Sequence, residues 1–377
     1  MTDALRDLVE LLELEPIEVN IFRGANIDED RQRVFGGQVA AQALVAAGRT
    51  VERGHVHSLH SYFLRPGDPQ LPILYEVDRI RDGRSFTTRR VVAIQHGRAI
   101  FNLQCSFHIE EPGLEHQIPM PEVPEPESLP TVGERLESFR DRLDPWFFDR
   151  PRPIDQRFIG DPPWLRDDGE GEPYQRLWIR ADGVLPDDPL LHAAVVCYAS
   201  DMTLYDSILN PHRIRWDSEH FMGASLDHCM WFHRPFRADR WLLLDEESPA
   251  AAGARGLARG ELYTREGDLV VSMVQEGLLR VLEPWSRSRP SPAGGREKDR
   301  KEASGGPSGG PKGGHSGGPS GGPSDGPSGG PKGGHSGGPS GGPADGASGT
   351  RPAAPDSQSS TRSGPSAASS SATRSGT

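Results

Sequence analysis

The sequence predicts an α+β fold in which one module, a helix followed by antiparallel strands, occurs twice. Three observations carry that expectation. Helix-like segments at residues 35–48 and 189–209 are each followed by strand-like stretches joined by short turns. An Arg-Pro pair closes the first strand after each helix, at Arg65–Pro66 and Arg234–Pro235, and the hairpin glycines Gly97 and Gly267 follow those arginines by 32 and 33 residues. No Val, Ile, Leu, Met, Phe, Trp, Tyr or Cys occurs after Trp285, so the core-forming chain ends there. Two unrelated α+β domains would also supply a helix and several strands apiece; the matched spacing favours duplication.

Taken in order, "MTDALRDLVELLELE" reads as an acidic amphipathic helix and has neither the basic start nor the cleavage site of a leader peptide. "FGGQVAAQALVAAG" opens on a glycine pair and closes on a glycine, as helix punctuation predicts. "HVHSLHSYFL", "LPILYEVDRIR", "SFTTRRVVAIQ" and "RAIFNLQCSFHI" read as strands, with "RPGD", "RDG" and "HGR" as their turns. From Glu110 to about Glu172 the chain is proline-rich and acidic, which reads as a connection between modules. Strand "QRLWIRA", helix "PLLHAAVVCYASDMTLYDSIL" and strands "SLDHCMWFHRPF", "WLLLDEESPAA", "ARGLARGELYT" and "LVVSMVQEGLLRV" follow. The expected divisions are an N-terminal module at 1–112, a connection at 113–172, a C-terminal module at 173–285 and a tail at 286–377.

The tail repeats "SGGPKGGHSGGPSGGPSDGP" (308–327) almost unchanged at 328–347. Without large apolar side chains it cannot offset its ordering entropy, so a flexible appendage is expected. Its "GPSGG" matches a nucleophile-elbow pattern but lacks the flanking strand and helix that motif needs. The chain's net charge of −12 divides into −17 on the body and +5 on the tail. An acidic body argues against nucleic acid as a partner. No run approaches the ~20 apolar residues of a membrane span. Three cysteines, Cys105, Cys197 and Cys229, without framework spacing fit a reduced compartment, and the final "SGT" is no peroxisomal address. A cytoplasmic protein is expected.

One residue is out of place in this pattern. Asp201 lies in the apolar stripe of the second helix with Leu190, Ala194, Cys197, Tyr198, Leu204, Tyr205 and Ile208. A carboxylate there either caps a helix restart at Met202, or pairs with an arginine, or sits dehydrated with a raised pKa that suits it to accept a proton. Strand alternation places Gln275 with Leu269, Val271, Met273 and Gly277, as the one polar member of that face. The same rule groups Ser225 with Asp227, Cys229 and Trp231. An Asp, a Gln and a Ser meeting over a sheet can hold one water by its proton and lone pairs. The bland alternatives are a bulge or edge position for Gln275 and a turn hydroxyl for Ser225.

The stretches "RVFGGQVAAQAL", "VHSLHSYFLRPGD", "DGRSFTTRRVVAIQHG", "YASDMTLY", "SLDHCMWFHRPF" and "VQEGLLR" jointly resemble the acyl-coenzyme A thioesterase II family, over about residues 20–110 and 174–280. The resemblance implies two hotdog modules in tandem, each an antiparallel sheet wrapped around a long helix. It implies hydrolysis of fatty acyl-CoA to free acid and coenzyme A without a cofactor or metal. It places the catalytic Asp, Ser and Gln at Asp201, Ser225 and Gln275. Neither the proline-rich connection nor the tail is covered by it.

Paired modules of that fold would bring Gly36 and Gly37, at the first helix start, near the second module's acid, where their N–H groups polarise the thioester carbonyl; plain helix-start geometry explains the glycines equally well. His57 lies in a family-like stretch and is a candidate for substrate binding, with core packing as its alternative. Arginines at 65, 84, 89, 90, 234, 255 and 259 are candidates for the coenzyme phosphates. No His and Cys spacing matches a zinc set. The cysteines sit in apolar runs that keep thiols protonated, against a Cys–His nucleophile. The competing functions are a hotdog enoyl-CoA hydratase or dehydratase and a non-enzymatic acyl-CoA sensor. Exposed sheet edges favour a homo-oligomer, a dimer or tetramer.

Overall fold

Strand β3 (His55–Phe63) and strand β10 (Asp227–Phe232) run antiparallel at the middle of a single sheet, with Cys229 opposite His60 and Met230 opposite Leu59. In the computed structural model the sheet order is β1-β2-β4-β5-β6-β3-β10-β13-β12-β11-β8-β7, with β9 also on β13. The other strands are β1 (Glu15–Glu18), β2 (Ile21–Gly24), β4 (Ile73–Asp82), β5 (Phe86–Gln95), β6 (Arg98–His108), β7 (Ile154–Ile159), β8 (Tyr174–Ala181), β9 (Phe221–Ser225), β11 (Leu242–Ala252), β12 (Arg255–Thr264) and β13 (Leu269–Val281). Outward from the centre the halves read β3-β6-β5-β4-β2 and β10-β13-β12-β11-β8. Each half therefore repeats the other's connectivity, strand for strand. The structure describes residues 1–26, 32–137, 140, 152–162, 171–212, 214 and 221–282. All of these belong to one unit, Met1–Ala293, and the tail expected to be flexible lies outside the described residues.

Two helices pack against each other on the sheet: α2 (Gly36–Gly48) and the helix of the second half. Every residue of α2 from Gly37 to Ala47 is buried, because Ala, Val, Leu and two Gln side chains occupy all its faces. Its glutamines are satisfied internally: Gln42 Nε2 donates to Leu11 O (2.8 Å) and its Oε1 accepts from the Tyr75 hydroxyl (2.7 Å). Helix α1 (Asp3–Leu12) is capped by Thr2, whose side chain accepts from Leu5 N, and buries Leu5, Leu8, Leu11 and Leu12 in the same core. A buried leucine contributes about 1.5–3 kcal/mol, so this short acidic helix is firmly seated.

The proline-rich segment, read from its composition as a connection between modules, also packs on the second half. It straps the outer face of the second half: Gln117 bonds Gly267 O (2.7 Å) and accepts from Leu269 N (3.1 Å), and Trp178 Nε1 donates to Pro124 O (2.9 Å). Met120, Val123 and Leu129 pack on a second apolar cluster of Trp178, Trp241, Leu243, Tyr263 and Leu269. A one-turn helix, α3 (Val132–Glu137), and the edge strand β7 follow. Prolines remove N–H donors without removing apolar surface, so such a chain can cover a sheet face by side-chain packing.

Candidate active site

Helix α4 (Pro189–Ser200) starts with Asp188 accepting from Leu190 N, and Pro189 in its first turn. Its side chains from His192 to Ser200 are all buried. The sequence predicts one helix to Leu209, but α4 stops at Ser200. Asp201 follows at φ −85°, ψ 4°, residues 201–205 form a turn, and the one-turn α5 (Asp206–Leu209) resumes. Short polar side chains cause the break by competing for the backbone. Ser200 Oγ bonds Cys197 O (2.9 Å), and Thr203 Oγ1 turns away to Glu246 Oε1 (2.8 Å). The turn fits because glycines lie beneath it. A Cβ at Gly277 would run into the Tyr205 ring, one at Gly256 into Ile208, and one at Gly260 would lie 3.1 Å from Leu204.

Released from helical alignment, Asp201 meets the other two expected residues. Gln275 Nε2 donates to Asp201 Oδ1 (2.7 Å) and to Ser225 Oγ (2.6 Å), and Ser225 Oγ donates to Asp201 Oδ1 (3.2 Å). Neither Ser200 nor Asp201 caps α5, whose first turn has no side-chain cap. Gln275 alternates with Val271, Met273 and Gly277 on the buried face of β13, as its period predicts. Ser225 arrives differently. Simple alternation groups it with Asp227, Cys229 and Trp231, but the strand is interrupted at Leu226. Ser225 pairs with Gly277 and Cys229 with Val274, so one extra residue sits in the second strand. That bulge turns Ser225 onto the face of His228 and Met230. The Glu276 N–H it frees is taken by Asp227 Oδ1 (2.7 Å).

The acid also faces the start of α2. The Gly37 N–H lies close enough to favour the charge of the Asp201 carboxylate, and a Cβ on Gly36 would come 2.6 Å from Asp201 Oδ2 and 2.8 Å from the Phe63 ring. Phe35, at the N-cap, offers no side-chain acceptor to the first turn, so the helix end is open to an anion. Antiparallel packing of α2 and α4 causes this meeting; at the other end Gly48 abuts Leu190. Dehydration pushes the Asp201 carboxyl up to about 6, against the pull of Gln275, Ser225, the Gly37 N–H and the Arg33 charge. The Asp is thus ionised at neutral pH yet basic enough to take a proton.

His57 is not part of this group. It sits on β3 at a bulge, edge-on to Phe86 and His108, six residues or about 20 Å of strand from Phe63. Arg89, among the candidate phosphate ligands, is 1 % exposed and bonds Thr50 and Asp82 at the C-terminal end of α2. One side chain that the pattern did not single out does border the site. His228 is fully buried with its Nε2 2.8 Å from Ser200 Oγ. Burial lowers its pKa to about 4, against an interaction with Gln275 that raises it, so the ring is neutral. Only the unforeseen bulge places His228 on Ser225's face. Burial raises Cys197 and Cys105 well above the usual thiol range, consistent with the expected unreactive thiols.

Residues 149–278 match the family described as acyl-CoA thioesterase, and residues 27–108 match the acyl-CoA thioesterase N-terminal domain. Acyl-coenzyme A thioesterase 8 of Mus musculus is 43% identical over 297 residues, covering 75% of this chain and 91% of that relative. The crystal structure of an acyl-CoA thioesterase II, TesB2, from Mycobacterium marinum superposes with a TM-score of 0.61 at 45% identity, covering 73% of this chain and 98% of that one. A hot dog fold protein of unknown function from Alicyclobacillus acidocaldarius, 20% identical, superposes with a TM-score of 0.61 over 74% of this chain and 99% of that one, a likeness of fold.

Proposed function

The chain belongs to the acyl-CoA thioesterase family and hydrolyses acyl-CoA thioesters; on that premise we propose that Asp201 is the general base that activates the hydrolytic water, with Ser225 and Gln275 fixing that water's position. The observation that carries this reading is the convergence of Gln275 Nε2 and Ser225 Oγ on Asp201 Oδ1 around a carboxyl raised to about 6.

In this mechanism Asp201 takes a proton from water as the oxygen adds to the thioester carbonyl. The proton cancels the charge that the Gly37 N–H had been serving. Donors at the α2 start then stabilise the new oxyanion, aided by the helix dipole. Collapse expels the coenzyme thiolate, whose ordinary pKa of about 8.5 makes strong acid assistance unnecessary. The acid's proton then returns to the thiolate or to solvent.

The mirrored strand orders support two hotdog modules in tandem, at 1–112 and 173–285, with 113–172 as the connection between them. Fatty acyl-CoA is the proposed substrate, and the enzyme is read as a cytoplasmic homo-oligomer; light scattering on the purified protein tests the assembly. The experiment for the function is thiol release from an acyl-CoA panel with wild type beside Asp201→Asn. Turnover by wild type and its near-complete loss in a folded variant is the expected result, and an active variant overturns the assignment.

A further inference from the structure

Gln275 has a neighbour beyond its two acceptors. Its amide nitrogen carries two protons, both directed at Asp201 Oδ1 and Ser225 Oγ, the groups between which the water is to be held. The amide oxygen therefore faces the other way, where it is buried and has no hydrogen-bond partner among the described residues. His228 occupies that side. It lies on β10 one place before Cys229, which pairs with Val274, so it sits across the ladder from Gln275, and the two side chains interact. Its Nδ1 is likewise buried without a partner, while its Nε2 lies 2.8 Å from the hydroxyl of Ser200, the last residue of α4 before Asp201.

We propose that His228 is a positioning residue for the hydrolytic centre: as its neutral Nδ1–H tautomer, with Nε2 and Cys197 O sharing the single Ser200 hydroxyl proton as a three-centre bond, it donates to Gln275 Oε1 and locks the amide with its NH2 toward Asp201 and Ser225. This rests on the reading of Asp201 as the base. The tautomer follows from the pairing. If Nε2 carried the proton, bare Nδ1 would confront bare Oε1, two buried acceptors with no proton between them. Flipping the Gln275 amide to relieve that contact would turn its carbonyl oxygen toward the Asp201 carboxylate. Both alternatives leave buried acceptors facing each other. Desolvation keeps the ring uncharged, so it adds no net charge beside the base.

The test joins kinetics to spectroscopy on the full chain. His228→Leu removes the donor; His228→Asn keeps an N–H close to the Nδ1 position. His228→Leu is expected to lower kcat about tenfold or more with KM little changed. It also moves the acid limb of the pH–kcat profile upward, because a Gln275 amide free to turn stabilises the Asp201 carboxylate less well. His228→Asn restores most of both. Nitrogen-15 spectra of the wild-type ring show a neutral Nδ1–H tautomer from about pH 5 to 9. An Nε2–H or charged ring, or Leu and Asn variants that share the wild-type limb, overturns the inference. If the Leu variant does not fold, the ring's tautomer decides. Full activity in Asp201→Asn would sink the general-base reading and leave the tautomer standing. An inactive Asp201→Asn with an Nε2–H ring would sink this inference alone.

Discussion

Gln275 Nε2 lies 2.7 Å from Asp201 Oδ1, although 74 residues of chain separate them. The bond ties the middle of β13 to the break after α4, so neither element can shift without disturbing the other. It also makes the acid's proton affinity a property of the sheet as well as of its own helix.

Asp201→Asn is expected to fold and bind acyl-CoA while kcat falls by roughly 10²–10⁴-fold, the usual share of general acid–base catalysis. The carboxyl's folded pKa is raised above its free value, so its ionisation opposes folding once the pH exceeds about 4. The variant is therefore expected to unfold no earlier than wild type at pH 8, gaining up to about 3 kcal/mol in urea titrations. Loss of the fold together with activity would make Asp201 a structural residue.

The rate should follow the ionised fraction of Asp201. Because the carboxyl titrates near 6, kcat/KM is expected to be flat above about pH 7 and to fall tenfold per unit below about pH 5.5. Gln275→Leu removes a donor that favours the carboxylate, so its residual activity should show the limb at higher pH. A limb that stays put in this variant contradicts the assignment.

Single turnover in oxygen-18 water distinguishes direct water attack from an Asp201 anhydride. Direct attack places the label in the released acid and none in the Asp201 carboxylate, read by mass spectrometry of the peptide. Label in Asp201 after one turnover would make it the nucleophile.

Gly36→Ala tests the approach of α2 to the acid. The new methyl would stand 2.6 Å from Asp201 Oδ2 and 2.8 Å from Phe63, both in the packed centre. Turnover is expected to drop at least about tenfold, with a stability cost of about 1–3 kcal/mol from overpacking. Wild-type kinetics would mean that the helix start is remote from the reaction.

Glu246 gives a stability prediction independent of the chemistry. It is fully buried, accepts from Gln175 (2.5 Å) and Thr203 (2.8 Å), and burial raises its carboxyl to about 8. The folded state holds the proton more tightly than the unfolded chain, whose carboxyl titrates near 4.3. Stability contributed by protonated Glu246 is thus complete below about pH 4 and is lost progressively as the pH rises to about 8. Glu246→Gln should flatten that decline, raising the denaturation midpoint at pH 8 relative to wild type and leaving pH 4.5 little changed. A parallel pH dependence in both proteins would refute it.

Local pattern made much of this protein legible. The period-2 runs gave β3 to β6, β8 and β11 to β13 with ends within about two residues, and glycine punctuation bounded α2. The polar exception on an apolar face singled out Gln275 and the carboxylate within an apolar helix singled out Asp201, and the structure brings the two within hydrogen-bond distance. Strands β1, β2 and β7 were not legible, because short or proline-flanked edge strands carry too few alternations. The strap's packing was hidden for a related reason: composition reports what a segment lacks, while its docking depends on the face it meets.

By itself the sequence determined which stretches become helices and strands, where the core-forming chain ends, and which polar residues stand out on otherwise apolar faces. Only the tertiary structure decided that they meet. Three events bring them together: the turn after Ser200 fits against the sheet because glycines lie beneath it, a one-residue bulge at Leu226 turns Ser225 inward, and the α2 start abuts Asp201 from the other half. Each depends on close packing between segments far apart in the chain, and a local pattern does not encode the steric and dielectric consequences of such contacts.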